Sequence, residues 1–351
     1  MSYLKLPGLI DVHTHLRVPG GEHKEDFATG TAAALAGGLT MILGMPNTNP
    51  PLTTRQRLAD ARAKAQQTAY CDVGLFAGAS HEFLADLPDA AHEAVALKIY
   101  LNDTFGTLRV DTLPTLSTCF ETWPREKLIA MHAEEQSVSV GIGLAASYQR
   151  PVHFCHISRK EEIELIAQAK ESGLPITCEV TPHHLFMTEA DFQRLGPLAD
   201  MRPKLAMQAD VDALWKHLNS TVDCIATDHA PHTLAEKQSK NYPPGIAGLE
   251  TSLPLMLTAI QENRISMARI IELMHTNPRN IFNLPEQPDT YIEIDPTVEQ
   301  TISNEAMHSK CGWTPFAGET LTGRVERVVL RGQTIFENGQ VVATRGNGMI
   351  L

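Results

Sequence analysis

The sequence has no long apolar run, no excess of positive charge and no clustered cysteines, and each lack excludes something. No stretch approaches the roughly 20 apolar residues of a membrane-spanning helix. The start, Met1 to Lys5, has no basic segment leading into an apolar run, so no secretory signal is expected and the expected location is cytoplasmic. Lys and Arg number 29 against 41 Asp and Glu, a formal net charge of −12. An acidic chain argues against a nucleic acid or an anionic membrane as its main partner. An anionic substrate would need positive charge supplied locally by its site. The six cysteines (Cys71, Cys119, Cys155, Cys178, Cys224 and Cys311) are scattered through mostly apolar runs, which suits reduced thiols and not a disulfide framework. There is no internal repeat and no low-complexity tract.

What is present is a long alternation of strands and helices. The chain has 351 residues, 43% of them hydrophobic, enough for one α/β barrel of about 250 residues and a modest appendage. Apolar runs at Leu9–Val12, Thr40–Met45, Asp72–Phe76, Ala96–Tyr100, Leu128–Met131, Val152–Cys155, Ile176–Cys178 and Val222–Ala226 read as strands. Helical patterns such as Arg55–Thr68, Ser137–Tyr148 and Lys160–Ser172 separate many of them. Eight such units predict a (β/α)8 TIM barrel, over residues 7–284, with its site at the C-terminal strand ends. From Pro285 the pattern turns to short strands at Thr290–Ile294, Gly323–Leu330, Gln333–Glu337 and Val341–Thr344, with Asn338-Gly339 as a hairpin turn. Residues 1–6 and 285–351 are therefore expected to form a small β-structure, with Tyr3–Leu6 pairing into it.

Several of the 15 histidines stand where apolar runs end. His13-Thr14-His15 places two rings on one side of a strand, where both can reach one metal, although the pair alone could equally be two solvated loop residues. His132 and His156 each end a separate strand; singly, each reads as a hydrogen-bonded core histidine. With Asp228 after the last strand they make a set suited to two metal ions. A helix N-cap would explain Asp228 by itself but not its company. Lys98 lies inside Val95–Tyr100, where an unpaired ammonium is costly. It either pairs at the barrel mouth or is N-carboxylated, its carbamate then bridging two metals. Arg17 and Asn47 would project into the same mouth, and Arg suits a carboxylate. His183 and His184, beyond Glu179, read as structural.

These residues fall in stretches that resemble the metal-dependent amidohydrolases, and among them the dihydroorotases. The matching stretches include Leu6–Arg17 (LPGLIDVHTHLR), Gly20–Gly38, Met45–Thr48 (MPNT), Leu97–Phe105 (LKIYLNDTF), Met131–Gln136 (MHAEEQ), His153–Ile163, Thr177–Phe186, Met201–Leu205, Ala226–Lys237 (ATDHAPHTLAEK), Pro243–Thr251 and Trp313–Gly332. The resemblance covers essentially the whole chain and is greatest to the dihydroorotase domain of animal multifunctional pyrimidine-synthesis proteins. That relative is a fused domain; for a chain running from Met1 to Leu351, a free-standing enzyme is the simpler expectation.

The resemblance implies a zinc-dependent cyclic amidohydrolase interconverting N-carbamoyl-L-aspartate and L-dihydroorotate in de novo pyrimidine (UMP) biosynthesis. It implies that His13, His15 and Asp228 bind one Zn2+, that His132 and His156 hold a second, and that Lys98, carboxylated by CO2, bridges them. Cys155 and Glu179 match positions near a further zinc. Arg17, Asn47, Arg202, His232 and Pro244 would bind substrate, with Asp228 as the proton shuttle and Thr104 and Phe105 on a mobile loop. It also implies a homodimer and leaves an association with aspartate transcarbamoylase open. Val18 departs from the family, which often has Glu there; Arg17 beside it is retained. Two rivals differ in prediction. A dihydropyrimidinase, hydantoinase or allantoinase shares barrel and metals but acts on other rings, and an inactive scaffold should have lost ligands that are all present here.

Overall fold

The computed structural model describes residues 3–351. Of the expected terminal segment 1–6, Met1 and Ser2 lie outside the described residues. The first strand, β1 (Leu4–Pro7), runs into the tail sheet. Then come β2 (Leu9–Thr14), β3 (Leu39–Gly44), β4 (Asp72–Gly78), β5 (Ala96–Tyr100), β6 (Ile129–His132), β7 (Val152–Phe154), β8 (Ile176–Val180) and β9 (Cys224–Ile225). These eight pair in chain order, all parallel, as a near-closed barrel. They are the eight strands expected from the sequence. The last is shorter than expected, although Ala226 N–H still donates to Val180 O at 3.1 Å.

Parallel strands covered on both faces read as nearly continuous apolar runs, and β3, Leu-Thr-Met-Ile-Leu-Gly, is buried throughout. Alternation then sorts the side chains between two layers. Ile10, Val12, Met41, Leu43, Phe76, Ala96, Ala130, Cys224 and Ala226 fill the barrel interior with Phe282 and Leu284. Leu9, Leu39, Ile42, Val73, Leu97, Ile99 and Ile129 face the surrounding helices. Helix Arg55–Thr68 shows how those helices are specified: the Thr54 side chain accepts from Arg57 N–H, and Leu58, Ala61 and Ala65 form its buried stripe.

This alternation aims the polar residues too. Lys98 and Tyr100 share parity with Ala96 and His132 with Ala130, so each continues an inward row. On β2 the same rule would put Ile10 and Val12 inside and His13 and His15 outside. A register shift between Asp11 and Thr14 against β3 breaks the alternation, an extra residue that re-aims the end of the strand.

Closure between β2 and β9 rests on few groups. Thr14 and His229 form a single parallel bridge, and His15 N–H donates to His229 O at 2.7 Å. Beneath it the buried Asp11 carboxylate accepts from Thr227 Oγ1 at 2.5 Å, from Thr227 N–H at 3.2 Å and from His13 N–H at 3.0 Å. Burial raises the Asp11 pKa to about 6 against the pull of these donors.

The tail continues with β10 (Tyr291–Thr301), β11 (Thr320–Leu330), β12 (Gln333–Glu337) and β13 (Gln340–Val341). With β1 they form an antiparallel sheet in the order β1-β10-β11-β12-β13. Asn338 and Gly339, at φ 51° and 75°, make the expected hairpin turn. The last strand is two residues long where Val341–Thr344 was expected. Gly323, at φ 90°, lets β11 lie against Leu257 of helix Leu249–Gln261, where a Cβ would come within 2.2 Å of a Leu257 methyl. Between β10 and β11 the chain crosses to the barrel mouth, where Trp313 Nε1 donates to the His232 carbonyl at 2.7 Å.

Asp11→Ala should therefore open the seam. Three buried donors lose their acceptor, and the expected loss of stability is about 3 kcal/mol or more. Urea denaturation of both proteins measures it, and an unchanged midpoint would mean that water or backbone satisfies the seam without Asp11.

Candidate active site

The strand ends bring the expected residues to one mouth. His13 lies within β2 and His15 follows it, Lys98 lies within β5, His132 ends β6, Cys155 and His156 follow β7, Glu179 lies within β8, and Asp228 follows β9. The four histidine rings form a chain: centroids of His15 and His13 are 5.4 Å apart, His13 and His156 5.1 Å, His156 and His132 4.5 Å. Asp228 Oδ1 lies 2.8 Å from His15 Nε2 and 3.3 Å from His13 Nε2. Two of these positions need left-handed backbone from non-glycine residues, His156 at φ 35° and Asp228 at 47°, and so does Arg17, close after His15 in sequence, at 61°. Such conformations cost energy and persist where surrounding structure imposes them, most often at functional sites.

Two buried groups have ligand atoms within 4.8 Å of one another, His13–His15–Asp228 and His13–Cys155–Glu179. His13 Nδ1 contacts Glu179 Oε1, whose other oxygen is 3.1 Å from His153 Nε2. His132 Nδ1 lies 2.8 Å from His156 Nε2, while His156 Nδ1 is buried with no protein partner. Lys98 is fully buried, and its Nζ donates to Cys155 Sγ at 2.8 Å instead of to a carboxylate.

The electrostatics suit a cation. Burial disfavours charge on His15, lowering its pKa to about 4 with help from Arg17 and His13. Burial also lowers His132 and His156, the latter strongly, so these rings are neutral and His156 Nδ1 keeps a lone pair with no partner among the described residues. Burial opposes ionised Glu179 and Asp228, yet charge on His13 and bonds from neighbouring histidines hold both well below the usual carboxylate range. Burial and Lys98 disfavour charge on His13, but Glu179 and Asp228 outweigh them and lift it to about 10. A proton on His13 is what these carboxylates hold in the absence of a cation, and ligation would displace it. Neutral imidazoles, ionised carboxylates and an unpartnered buried nitrogen are a donor set that fits zinc.

Across the cavity sits a different chemistry. Arg17 is buried, its Nε donates to Pro231 O at 3.0 Å, and its Nη2 lies 3.0 Å from His232 Nε2. Burial lowers its pKa to about 10, so it remains charged at neutral pH. Asn47 Oδ1 meets His15 Nδ1 at 2.6 Å and its Nδ2 donates to Phe105 O at 2.9 Å, joining the histidines to the loop. Thr104, Phe105, Arg202 and Pro244 line the same cavity. Arg202 is turned partly away, donating to Asp200 Oδ1 at 2.9 Å. His184 bonds Thr181 and the Pro203 carbonyl, and His183 Nε2 is buried without a partner.

The sequence reading passed over Glu134, Tyr100 and Lys24. Glu134 Oε1 is 2.9 Å from His132 Nε2; its place two residues past a strand-end histidine was a usable signal. Tyr100 shares the inward row of Lys98 and its hydroxyl is unpartnered. Lys24 sits in a loop, with nothing in sequence to mark it.

Comparisons with known proteins agree with this geometry. The model of the family described as Dihydro-orotase-like matches residues 3–113. The multifunctional protein CAD of Squalus acanthias is 50% identical over 346 residues, which cover 98% of this chain and 15% of that protein. The chain thus spans under a sixth of that relative's length. The dihydroorotase of Pyrococcus furiosus is 32% identical over 350 residues, covering 96% of this chain and 82% of that protein. Among solved structures, the L-hydantoinase (dihydropyrimidinase) of Arthrobacter aurescens superposes with a TM-score of 0.94 at 24% identity, over 99% of this chain and 88% of that one, a likeness of fold. With its barrel, its candidate metal ligands and a dihydroorotase alignable over nearly its full length, this chain belongs to the dihydroorotase family of metal-dependent amidohydrolases.

Proposed function

We propose that the protein interconverts N-carbamoyl-L-aspartate and L-dihydroorotate in de novo pyrimidine synthesis. The observation that carries this reading is the buried, charged Arg17, which forms no ion pair among the described residues and shares a cavity with the histidine–aspartate cluster. An unpaired buried cation is costly, and a substrate carboxylate would supply the missing charge. Dihydropyrimidines lack that group, which disfavours the rival reading.

In this reading His13, His15 and Asp228 would hold one zinc, His132 and His156 would hold a second, and a carboxylated Lys98 would serve both; Cys155 and Glu179, with His13, would offer a further position. When bound, the metal pair supplies Lewis-acid chemistry that polarises an amide carbonyl and acidifies water. The chain's own residues do the rest. Arg17, with Asn47, His232, Arg202 and Pro244, fixes the substrate carboxylate and so aims the ring amide at the cluster. As water adds to the ring amide carbonyl, Asp228, ionised at neutral pH, accepts the water's proton on its carboxylate and returns it to the ring nitrogen as the C–N bond breaks. Ring closure uses the same groups in reverse. Thr104 and Phe105 cover the site and exclude water. Homodimer formation and an association with aspartate transcarbamoylase extend the same reading.

Purified, metal-analysed protein assayed against dihydroorotate, dihydrouracil, hydantoin and allantoin tests it. Turnover of dihydroorotate well above the others is expected, and preference for a ring without a carboxylate would transfer the assignment to the hydantoinase class. Lys98→Ala should lose most of its zinc and nearly all activity, since the link between the two ligand sets disappears. Full zinc content with near-normal turnover in that variant would remove the carboxylated lysine from the site. Asp228→Asn keeps an oxygen donor but cannot take a proton. It should retain zinc while kcat falls by about 10²–10⁴-fold, the range for losing a general acid–base group. Zinc content and kcat measured together separate this from simple metal loss.

A further inference from the structure

His232 meets more partners than a neutral imidazole can satisfy in both of its forms. Lys24 Nζ lies 3.1 Å from Nδ1. At Nε2 stand Arg17 Nη2 and the Pro244 carbonyl oxygen, each at 3.0 Å. Lys and Arg only donate, and a carbonyl only accepts. With the proton on Nε2, the ring accepts from Lys24 at Nδ1 and donates toward Pro244. With the proton on Nδ1, an N–H faces an ammonium and the Pro244 carbonyl loses its donor. The first form makes two bonds of the available set and the second makes one, to Arg17.

Lys24 is held for this. Only 8% of it is exposed. Its Nζ pairs with Glu236 at 2.9 Å, and Glu236 in turn accepts from Thr233 N–H at 3.0 Å. The face of Phe105 lies 4.9 Å from the same ammonium, and the Phe105 and His232 ring centroids are 5.0 Å apart. Lys24 thus stands behind His232 and touches the loop tip that covers the cavity.

We propose that Lys24 is a positioning residue that fixes His232 in the Nε2–H tautomer, so that His232 and Arg17 present adjacent N–H donors to one anionic oxygen of the ligand. Their nitrogens, 3.0 Å apart, cannot bond each other in this form. Arg17 Nη2 is left free, and the Nε2–H points along the Pro244 carbonyl, which lines the cavity with Arg17, so a carboxylate oxygen there can accept from Arg17 and share the Nε2–H with that carbonyl. Burial and the charges of Arg17, Lys24 and Lys237 also keep His232 far below the usual histidine range, so the ring carries one proton and its placement decides the site's polarity.

The tautomer can be read without substrate. In the zinc-loaded enzyme labelled with 15N-histidine, the His232 resonances are identified by their loss in His232→Asn. The expected pattern is an unprotonated Nδ1 and a protonated Nε2. Lys24→Met, similar in length but unable to donate, should move the ring toward the Nδ1–H form. The kinetic consequence rests on the dihydroorotate reading: KM for dihydroorotate should rise about tenfold or more, the worth of one charge-assisted bond, with kcat changed less than about threefold. Lys24→Arg, still an obligate donor, should restore the wild-type tautomer. A wild-type ring protonated on Nδ1 would overturn the proposal, as would a Lys24→Met variant with unchanged tautomer and KM. A wild-type enzyme with the expected tautomer but no turnover of dihydroorotate would overturn the substrate reading alone.

Discussion

The site depends on one seam, the join between the first and last barrel strands. His13 and His15 come from β2 and Asp228 from the turn after β9, so their ligand atoms converge only if those strands are locked together. Regular pairing there is reduced to a single bridge, and the Asp11 carboxylate supplies what the backbone does not by binding Thr227 and His13 at once. Burial of that carboxylate is unfavourable in itself. Its three donors make it tolerable and give the seam one register. The shift in β2 next to Asp11 belongs to the same device, because it swings His13 and His15 inward while leaving Ile10 and Val12 in the core.

On this frame the cavity carries two opposed electrostatic walls. One has neutral His15, His132 and His156 with ionised Asp228, backed by Glu179 behind His13, a wall that attracts cations. The other has Arg17, with a neutral His232 and then Lys24 packed behind it, a wall that attracts anions. The chain as a whole is at −12, so the positive wall is built by burial, with Glu236 bound to Lys24. The tail contributes from behind, where Trp313 holds the backbone of His232. A segment distant in sequence thereby fixes the loop that carries Asp228 and His232.

Much of this was legible in the chain order of residues. Eight apolar runs separated by helical patterns specify parallel strands because only strands covered on both faces tolerate such runs. Polar residues ending those runs mark the barrel's C-terminal mouth, which is why His132, His156 and Asp228 could be placed together without coordinates. Motif resemblance added Arg202, Pro244 and the Thr104–Phe105 loop, none of which periodicity singles out. Lys24 and Asp11 escaped because each looks ordinary locally, a lysine in a polar loop and an aspartate in a strand.

The sequence by itself determined the periodicities, and through them the barrel, the inward rows of Lys98 and His132, and the hairpin at Asn338-Gly339. These follow from local rules, since parity along a strand and turn chemistry involve only neighbouring residues. Tertiary structure alone decided the shift that turns His13 and His15 inward, the left-handed backbone at Arg17, His156 and Asp228, and the meeting of Lys24 with His232, 208 residues apart in the chain. The physical reason is that each of these is unfavourable or unremarkable in isolation. Only contacts made across the closed barrel compensate the strain and bury the charge, and no local pattern records them.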